Sequence, residues 1–279
     1  MRIAYKNLID ELPNSSMTCF SAITGYPLSN IKDQRLGMVY KSSETSSFSI
    51  TFNLSQFTDE PINTIALLGH NLTTSASVII DFNIEDSWPG TTSQVISYND
   101  GIILKYFNTI DTDADYLLTE TGSFLITEDG SFMVSEYGYT YAQLRINDST
   151  NTDGFISIGR VWLGEYLNID PSSLLDFKVV KKRSDTVIYG KDRQKFALSG
   201  VGWRKFNFDF PVTDKSMIES VITMFKTVGN YKSFIFCNFD SIRGYDLIEP
   251  CYVSIVGGIT FTHAKRMRFL YSLELEEDL

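Results

Sequence analysis

Apolar and polar residues alternate over several short stretches of this chain. FSITFN at 48–53 puts Phe48, Ile50 and Phe52 on one side and polar residues on the other. That two-residue period predicts a half-buried strand. INTIALLG at 62–69 is apolar almost without a break, as a strand covered on both faces would be. SASVIIDFNI at 75–84 alternates less cleanly but is rich in β-branched residues. Pro27, Pro61 and Pro89 fall between these runs, where a missing amide donor costs no ladder bond. The close spacing of turn signals across 16–110 predicts a sandwich or barrel.

From Leu118 a period of eight takes over: LTETGSFL, ITEDGSFM, VSEYGYTY. Glu120, Glu128 and Glu136 fall in register, as do Gly122, Gly130 and Gly138. Glycine there supplies the positive φ of a tight hairpin turn, so each unit is a short strand and a turn. The segment at about 112–140 therefore predicts an inserted β finger whose Phe124, Phe132 and Met133 need a surface to pack on. That surface is either the chain's own sandwich or a neighbour in an assembly. YAQLRIND (141–148) and FISIGRVWLGEYLNI (155–169) resume strand character, with Trp162 as an aromatic anchor of the closing strand.

Beyond Tyr166 the pattern is β-β-β-α-β-β-β. SLLDFKVVKKRSDTVIYGKDRQKFALSGVGWRKFNFDFPV predicts strands and a hairpin turning at Tyr189-Gly190. TDKSMIESVITMFKTVG carries Met217, Ile218, Val221, Ile222, Phe225 and Val228 at helical spacing and ends at Gly229. Its N-cap is either Asp214 or a capping box of Ser216 and Glu219. Helix residues Ile218, Val221, Ile222 and Phe225 would pack on Trp203, Phe206, Phe208 and Phe210. SFIFCNFD, EPCYVSIVGG and RMRFLYSLELEE follow as strands, making one helix on an antiparallel sandwich or barrel.

Composition sharpens the division. The 279 residues carry a net charge of −10, which disfavours nucleic acid as a partner. Residues 1–165 hold 20 acidic against 8 basic residues, and residues 166–279 hold 14 against 16. Such a break predicts two domains meeting near Tyr166. The basic excess gathers between Lys178 and Lys205, with Lys181, Lys182, Arg183, Arg193 and Lys195 as candidate inter-subunit contacts. A merely solvated strand pair and loop is the other reading of those residues. Cys19, Cys237 and Cys251 are an odd set, which suits reduced thiols better than a disulfide framework. No secretory signal is read at the N-terminus, and no apolar run has the length of a membrane span.

The segment from Thr24 to Leu72 resembles the opening of discoidin-like (galactose-binding-like) jelly rolls, in the form carried by tail proteins of tailed bacteriophages. The resemblance rests on TGYPLSNIKDQRLGMVYKS, then FSITFNLSQ, then INTIALLGHNL. RKFNFDFPVTDKSMIESVITMF, KSFIFCNFD and the closing strands look like the β-sandwich-plus-helix domain of tail tube, minor tail and distal tail (baseplate hub) proteins. GRVWLGEYLNI resembles the join in such two-domain proteins. The resemblance implies a mainly β chain, with a jelly-roll sandwich over 1–168 and a ring-forming, tail-tube-like domain over 169–279. It implies a virion component assembled in the host cytoplasm, with copies of itself in a six-fold ring and other tail proteins as partners. A carbohydrate-binding adhesin module recognising a host-surface glycan is the alternative.

Little points to catalysis, and no enzyme activity or cofactor is expected. His70 and His263 are the two histidines, and His70 sits in a Gly-His-Asn turn where an imidazole caps backbone groups. No GxSxG, HExxH, P-loop or CxxC pattern occurs. Asp81, Glu85 and Asp86 flank Trp88 and read as a solvated strand end rather than a glycosidase pair. A jelly-roll sugar site would lie in end loops, around Tyr26, Asn30, Asp33, Arg35 and Trp88, with Tyr40 and Tyr98 nearby. The fucose site of F-type lectins is not supported, because no Arg follows His70 until Arg145. Asn30 and Asp33 offer hard oxygen ligands, but Lys32 and Arg35 beside them argue against a metal, and none is expected.

Overall fold

A computed structural model of the chain describes residues 2–57, 60–88, 92–96, 102–106, 115–116, 134–135, 139–169, 176–189, 195–198, 200–212, 215–240, 245–258, 260–264 and 268–278. It opens with β1 (Arg2–Ala4) and a one-turn helix, α1 (Leu8–Glu11). Next come β2 (Met17–Cys19), β3 (Tyr40–Ser42), β4 (Phe48–Asn53), β5 (Thr64–Leu68), β6 (Ser77–Asn83), β7 (Thr92–Ile96) and β8 (Ile102–Tyr106). A short pair, β9 (Asp115–Tyr116) and β10 (Val134–Ser135), precedes β11 (Tyr141–Asn147), β12 (Ile156–Ile158) and β13 (Arg160–Gly164). Then follow β14 (Tyr166–Asn168), β15 (Asp176–Arg183), β16 (Thr186–Tyr189), β17 (Lys195–Leu198) and β18 (Gly202–Val212). After the helix α2 (Lys215–Val228), β19 (Phe234–Asp240), β20 (Tyr245–Ile255), β21 (Thr260–Ala264) and β22 (Arg268–Glu277) complete the chain. Contacts divide it into two compact units, Asn7–Glu165 and Met1–Lys6 with Tyr166–Leu279.

Within Asn7–Glu165, a five-stranded sheet runs β2-β4-β11-β6-β7 and a three-stranded sheet runs β13-β5-β8, with β12 paired to β3. Every strand pair is antiparallel. The alternation along β4 works as its sequence dictates: Phe48, Ile50 and Phe52 are buried while Ser49, Thr51 and Asn53 are half-exposed. They share one core with Ile65 and Leu67 of β5, Val78, Ile80 and Phe82 of β6, Leu144 and Ile146 of β11, and Val161 and Leu163 of β13. Two sheets closing on such a core form a sandwich. β5 is buried at all five positions, as its unbroken apolar run predicts. Trp162 is buried as well, on the side of β13 opposite the Val161 and Leu163 that join the shared core.

Gly159 separates β12 from β13 at a close approach. A Cβ there would lie 2.6 Å from the Leu36 carbonyl oxygen, so only glycine lets the two backbones meet. The antiparallel pair β9–β10 stands where a finger is predicted, but the repeat between them and Phe124, Phe132 and Met133 lie outside the described residues.

The other unit holds the sheet β14-β1-β19-β20-β22-β18-β15, with β21 also paired to β22. β1 joins it between β14 and β19, so the first residues of the chain belong with the second unit rather than with the jelly roll. Phe206 and Phe208 are buried on β18 and meet Phe236 of β19 with ring centroids 5.4 and 5.1 Å away. Trp203 is half-buried on the same strand. α2 forms where predicted and ends at Gly229, whose φ of 61° and amide bond to the Phe225 carbonyl terminate it. Its fully buried line is Val221, Met224 and Val228, while Ile218, Ile222 and Phe225 are half-buried. Asp214 lies outside the described residues.

Candidate functional site

On the outer face of the five-stranded sheet, β11 presents Gln143, Arg145 and Asn147 between Thr51 and Ser49 of β4 and Ser77, Ile79 and Asp81 of β6. Arg145 lies directly across from Ser49 and Ile79, yet its side chain leans along the strand to Asp81, the neighbour diagonal to it. Its Nη2 donates to Asp81 Oδ1 at 2.9 Å and its Nε to Oδ2, while Ser93 Oγ donates to Oδ1 at 2.5 Å. Asp81 is buried, with its side chain 2% exposed against 48% for Arg145. The bidentate carboxylate raises the Arg145 pKa. Gln143 leans the other way, donating from Nε2 to Thr51 Oγ1 at 3.3 Å.

The tilt of Arg145 leaves only small side chains, Ser49 and Ser77, beside Ile79 at this end of the sheet. A groove of about 360 Å³ opens there, with Ser47, Gln143 and Asn147 around it. Ser47, at its rim, has a φ of 57°, a left-handed backbone that a serine seldom adopts. Asp81 corrects the sequence reading: it is no solvated strand end but the buried anchor of an arginine. An aspartate inside the apolar run SVIIDFN, where burial demands a partner, was the signal for it.

The predicted loop residues are otherwise engaged. Asn30 Nδ2 donates to the Val39 carbonyl at 2.8 Å. Asp33 accepts from the Arg35 amide at 2.9 Å and from its Nε and Nη2 at 2.9 and 2.7 Å. The hydrogen-bonded Arg35 side chain holds the Asp33 carboxyl down from 3.8 to about 2. Tyr26 is 38% exposed, with Lys41 Nζ 4.3 Å from its ring centroid. Tyr40 is fully buried, its hydroxyl 2.8 Å from Cys19 Sγ, and burial pushes its pKa up. Trp88 is half-buried in the separate loop that leaves β6, and Tyr98 lies outside the described residues.

At the end of the sandwich the loops are clamped together. Asp148, 1% exposed, accepts from the Thr73 amide at 2.7 Å and from the Thr73 and Thr150 hydroxyls. Asn71 binds Asp153 and the Phe155 carbonyl and accepts from the Ser157 amide. His70 Nδ1 accepts from the Leu72 amide at 3.2 Å, the turn-capping role foreseen for it. Among the described residues no three His, Cys, Asp or Glu side chains converge as a metal site.

These shapes have distant counterparts among solved structures. A tail of an empty GTA particle with C6 symmetry is 14% identical, covering 42% of this chain and 84% of its own, with a TM-score of 0.31. A family 32 CBM from C. perfringens NanJ in complex with galactose is 15% identical over 60% of this chain and all of its own, with a TM-score of 0.35. A Streptococcus pneumoniae fucose binding module is 8% identical over 57% and 95%, with a TM-score of 0.37. Tail proteins and sugar-binding modules both resemble this chain. No family model and no curated protein matches it. Likenesses this faint assign no function.

In the second unit the notable surface is β15. It pairs with β18 over Asp176–Arg183 and ends the sheet, without a strand on its other side among the described residues. Lys178, Lys181, Lys182 and Arg183 are exposed along it, and Val179 is 38% exposed. Arg183 Nε lies 3.3 Å from Asp185. Arg193 and the Lys195 side chain fall outside the described residues. The rest of the sheet is better compensated: Lys205 bridges Glu274 and Glu276 on its solvent side, while Arg204, on the same face as Phe206, is held by Glu277. A cavity of about 320 Å³ lies there, against Trp203, Ser254 and Asp278.

Proposed function

We propose that this chain is a structural subunit of a tailed-phage virion, a distal tail or minor tail protein. Its second unit joins copies of itself into a ring, six by resemblance, and its jelly roll is presented to neighbouring tail proteins or the host surface. The observation that carries the reading is β15, an eight-residue basic edge strand with one side unpaired among the described residues. Lysines on an open edge discourage indiscriminate pairing while leaving its amides and carbonyls available to a complementary partner. The chain supplies one, since residues 1–165 carry 20 acidic against 8 basic residues. A basic edge meeting an acidic surface of the next copy is a head-to-tail contact, and such contacts close into rings.

In this reading Lys181, Lys182, Arg183, Arg193 and Lys195 form the polar contacts between copies, and Phe124, Phe132 and Met133 of the finger dock on a neighbour. The role is mechanical, with no catalytic step and no cofactor. Assembly takes place in the host cytoplasm, and the finished protein resides in the tail.

Light scattering of the purified chain tests it. The expected mass is several times the 31.6 kDa of one copy, or becomes so once another tail protein is added. The triple charge reversal Lys181→Glu, Lys182→Glu, Arg183→Glu returns it to the monomer. Absence of the protein from virions probed with a labelled antibody sinks the proposal.

A further inference from the structure

We infer that two copies of this chain pair face to face through the solvent side of the sheet that holds β18. This face is distinct from the free edge of β15 that the ring uses, and pairing through it does not depend on the ring. Register sorts charge into columns on three neighbouring strands. On β15, Lys178, Val180 and Lys182 lie opposite Asn207, Lys205 and Trp203 of β18. On β22, Glu274 and Glu276 lie opposite Asn207 and Lys205. Asp278 comes next along β22 and shares a cavity with Trp203. Phe206, Phe208, Leu273 and Leu275 alternate with these residues and are buried on the other face. Lys178, Lys182 and Asn207 are exposed and the other column residues half-buried. Of the β15 residues assigned to the ring, Lys182 alone lies on this face.

The two outer columns complement each other. Lys205 bridges Glu274 and Glu276 at 3.0 Å each. With Asp278 added, three carboxylates against that one ammonium leave two negative charges beside β18. The β15 column carries two positive charges, Lys178 and Lys182, on the opposite side of β18. A two-fold axis running along β18, above the sheet, carries β15 of each copy over β22 of the other. Lys178 then meets Glu274, and Lys182 meets Asp278 at the cavity of about 320 Å³. Both contacts form twice, as an isologous interface requires. Trp203 lies on the axis against its own counterpart, an aromatic anchor inside a charged rim. Lys205 also faces its counterpart there, but its own two glutamates neutralise it. Asp209, which accepts from Ser272, would be set against itself and so ends the matched stretch. Four strands about 4.8 Å apart and some seven residues long bury on the order of 1,000 Å² in the pair. That is the low end for a specific contact, so the pair is weak, with a Kd in the micromolar range.

Sedimentation equilibrium of the full chain tests the inference, in a Lys181→Glu, Arg183→Glu background. Those two residues alternate with the column, and their reversal removes the ring contact while sparing this face. The mass is expected to rise with concentration to twice 31.6 kDa. Adding Lys178→Glu with Lys182→Glu, or instead Glu274→Lys with Asp278→Lys, should weaken pairing by about tenfold or more. An equimolar mixture of the two reversed chains should pair again, because each then offers the other two matched columns. Trp203→Ala should weaken pairing by a similar factor. Urea midpoints verify the fold of each variant, and Lys178 and Lys182, both exposed, can be reversed without disturbing the core. The inference is overturned if the background chain stays monomeric at about 0.5 mM, far above a micromolar Kd; a face reserved for a different protein gives that result. It is also overturned if either reversed chain pairs normally by itself, or if the folded reversed chains do not pair when mixed. An unaltered chain that stops at two copies, alone and with other tail proteins, would refute the ring and leave the pair standing.

Discussion

Removing either partner of the Arg145–Asp81 pair breaks the same two hydrogen bonds, yet the two losses should differ in cost. The Asp81 side chain is 2% exposed and the Arg145 side chain 48%. Arg145→Ala leaves a carboxylate under the sheet surface with, among the described residues, only the Ser93 hydroxyl donating to it. Stranding a buried charge costs about 3–5 kcal/mol, and water entering from the groove brings this to the lower end, about 3 kcal/mol. Asp81→Asn keeps an acceptor oxygen and frees an arginine that already reaches solvent, so its cost is about 1 kcal/mol. The double variant should resemble Asp81→Asn, the second change recovering about 2 kcal/mol of what Arg145→Ala lost.

Urea unfolding measures this cleanly in a Trp203→Phe background. Trp88 and Trp162, the two tryptophans that remain, both lie within Asn7–Glu165, so the emission reports the jelly roll alone. If Arg145→Ala proves no costlier than Asp81→Asn, or if the two losses simply add, the trapped-carboxylate account is wrong.

Further consequences follow from packing and charge. Phe208→Ala empties a site 1% exposed against Phe236 and should cost about 3–5 kcal/mol, followed by Trp203 emission; a loss under 1 kcal/mol would mean the phenylalanine contact is dispensable. Gly159→Ala sets a methyl 2.6 Å from the Leu36 oxygen and should destabilise by about 1–3 kcal/mol. Gly37→Ala, with open space around it, is the control, and equal midpoints would refute the close approach. Asp33 is held at about 2 by Arg35, a depressed folded value, so its stabilising effect is present above about pH 4 and lost as pH falls towards 2. Arg35 is 74% exposed in that pair, so solvent screens the effect and keeps it small; acid unfolding of Arg35→Ala should show a shallower slope between pH 4 and 2, and an unchanged slope would exclude the pair. Cys237 and Cys251 are buried thiols outside any disulfide and should react with a thiol reagent only on unfolding, whereas rapid labelling of the native chain would contradict their burial.

Local pattern carried much of this protein. The alternation Phe48, Ile50, Phe52 named its own buried face because side chains in a strand point alternately, whatever lies opposite. The apolar run in β5 announced burial on both faces, and Gly229 marked the end of α2 because few other residues accept its backbone geometry. Helical spacing also showed that α2 has an apolar stripe, but it left open which line of that stripe meets the sheet. Packing chose Val221, Met224 and Val228 and left Ile218, Ile222 and Phe225 at the margin. Long-range pairing was silent in the chain. Arg2–Ala4 meets strands more than 160 residues away, and three residues hold no periodicity from which to foresee it. Arg145 and Asp81 are 64 residues apart, joined only because β6 and β11 lie side by side in one register. A sequence records which residues want burial or a partner; the fold decides which ones meet, because that depends on strand order and register that no short window contains.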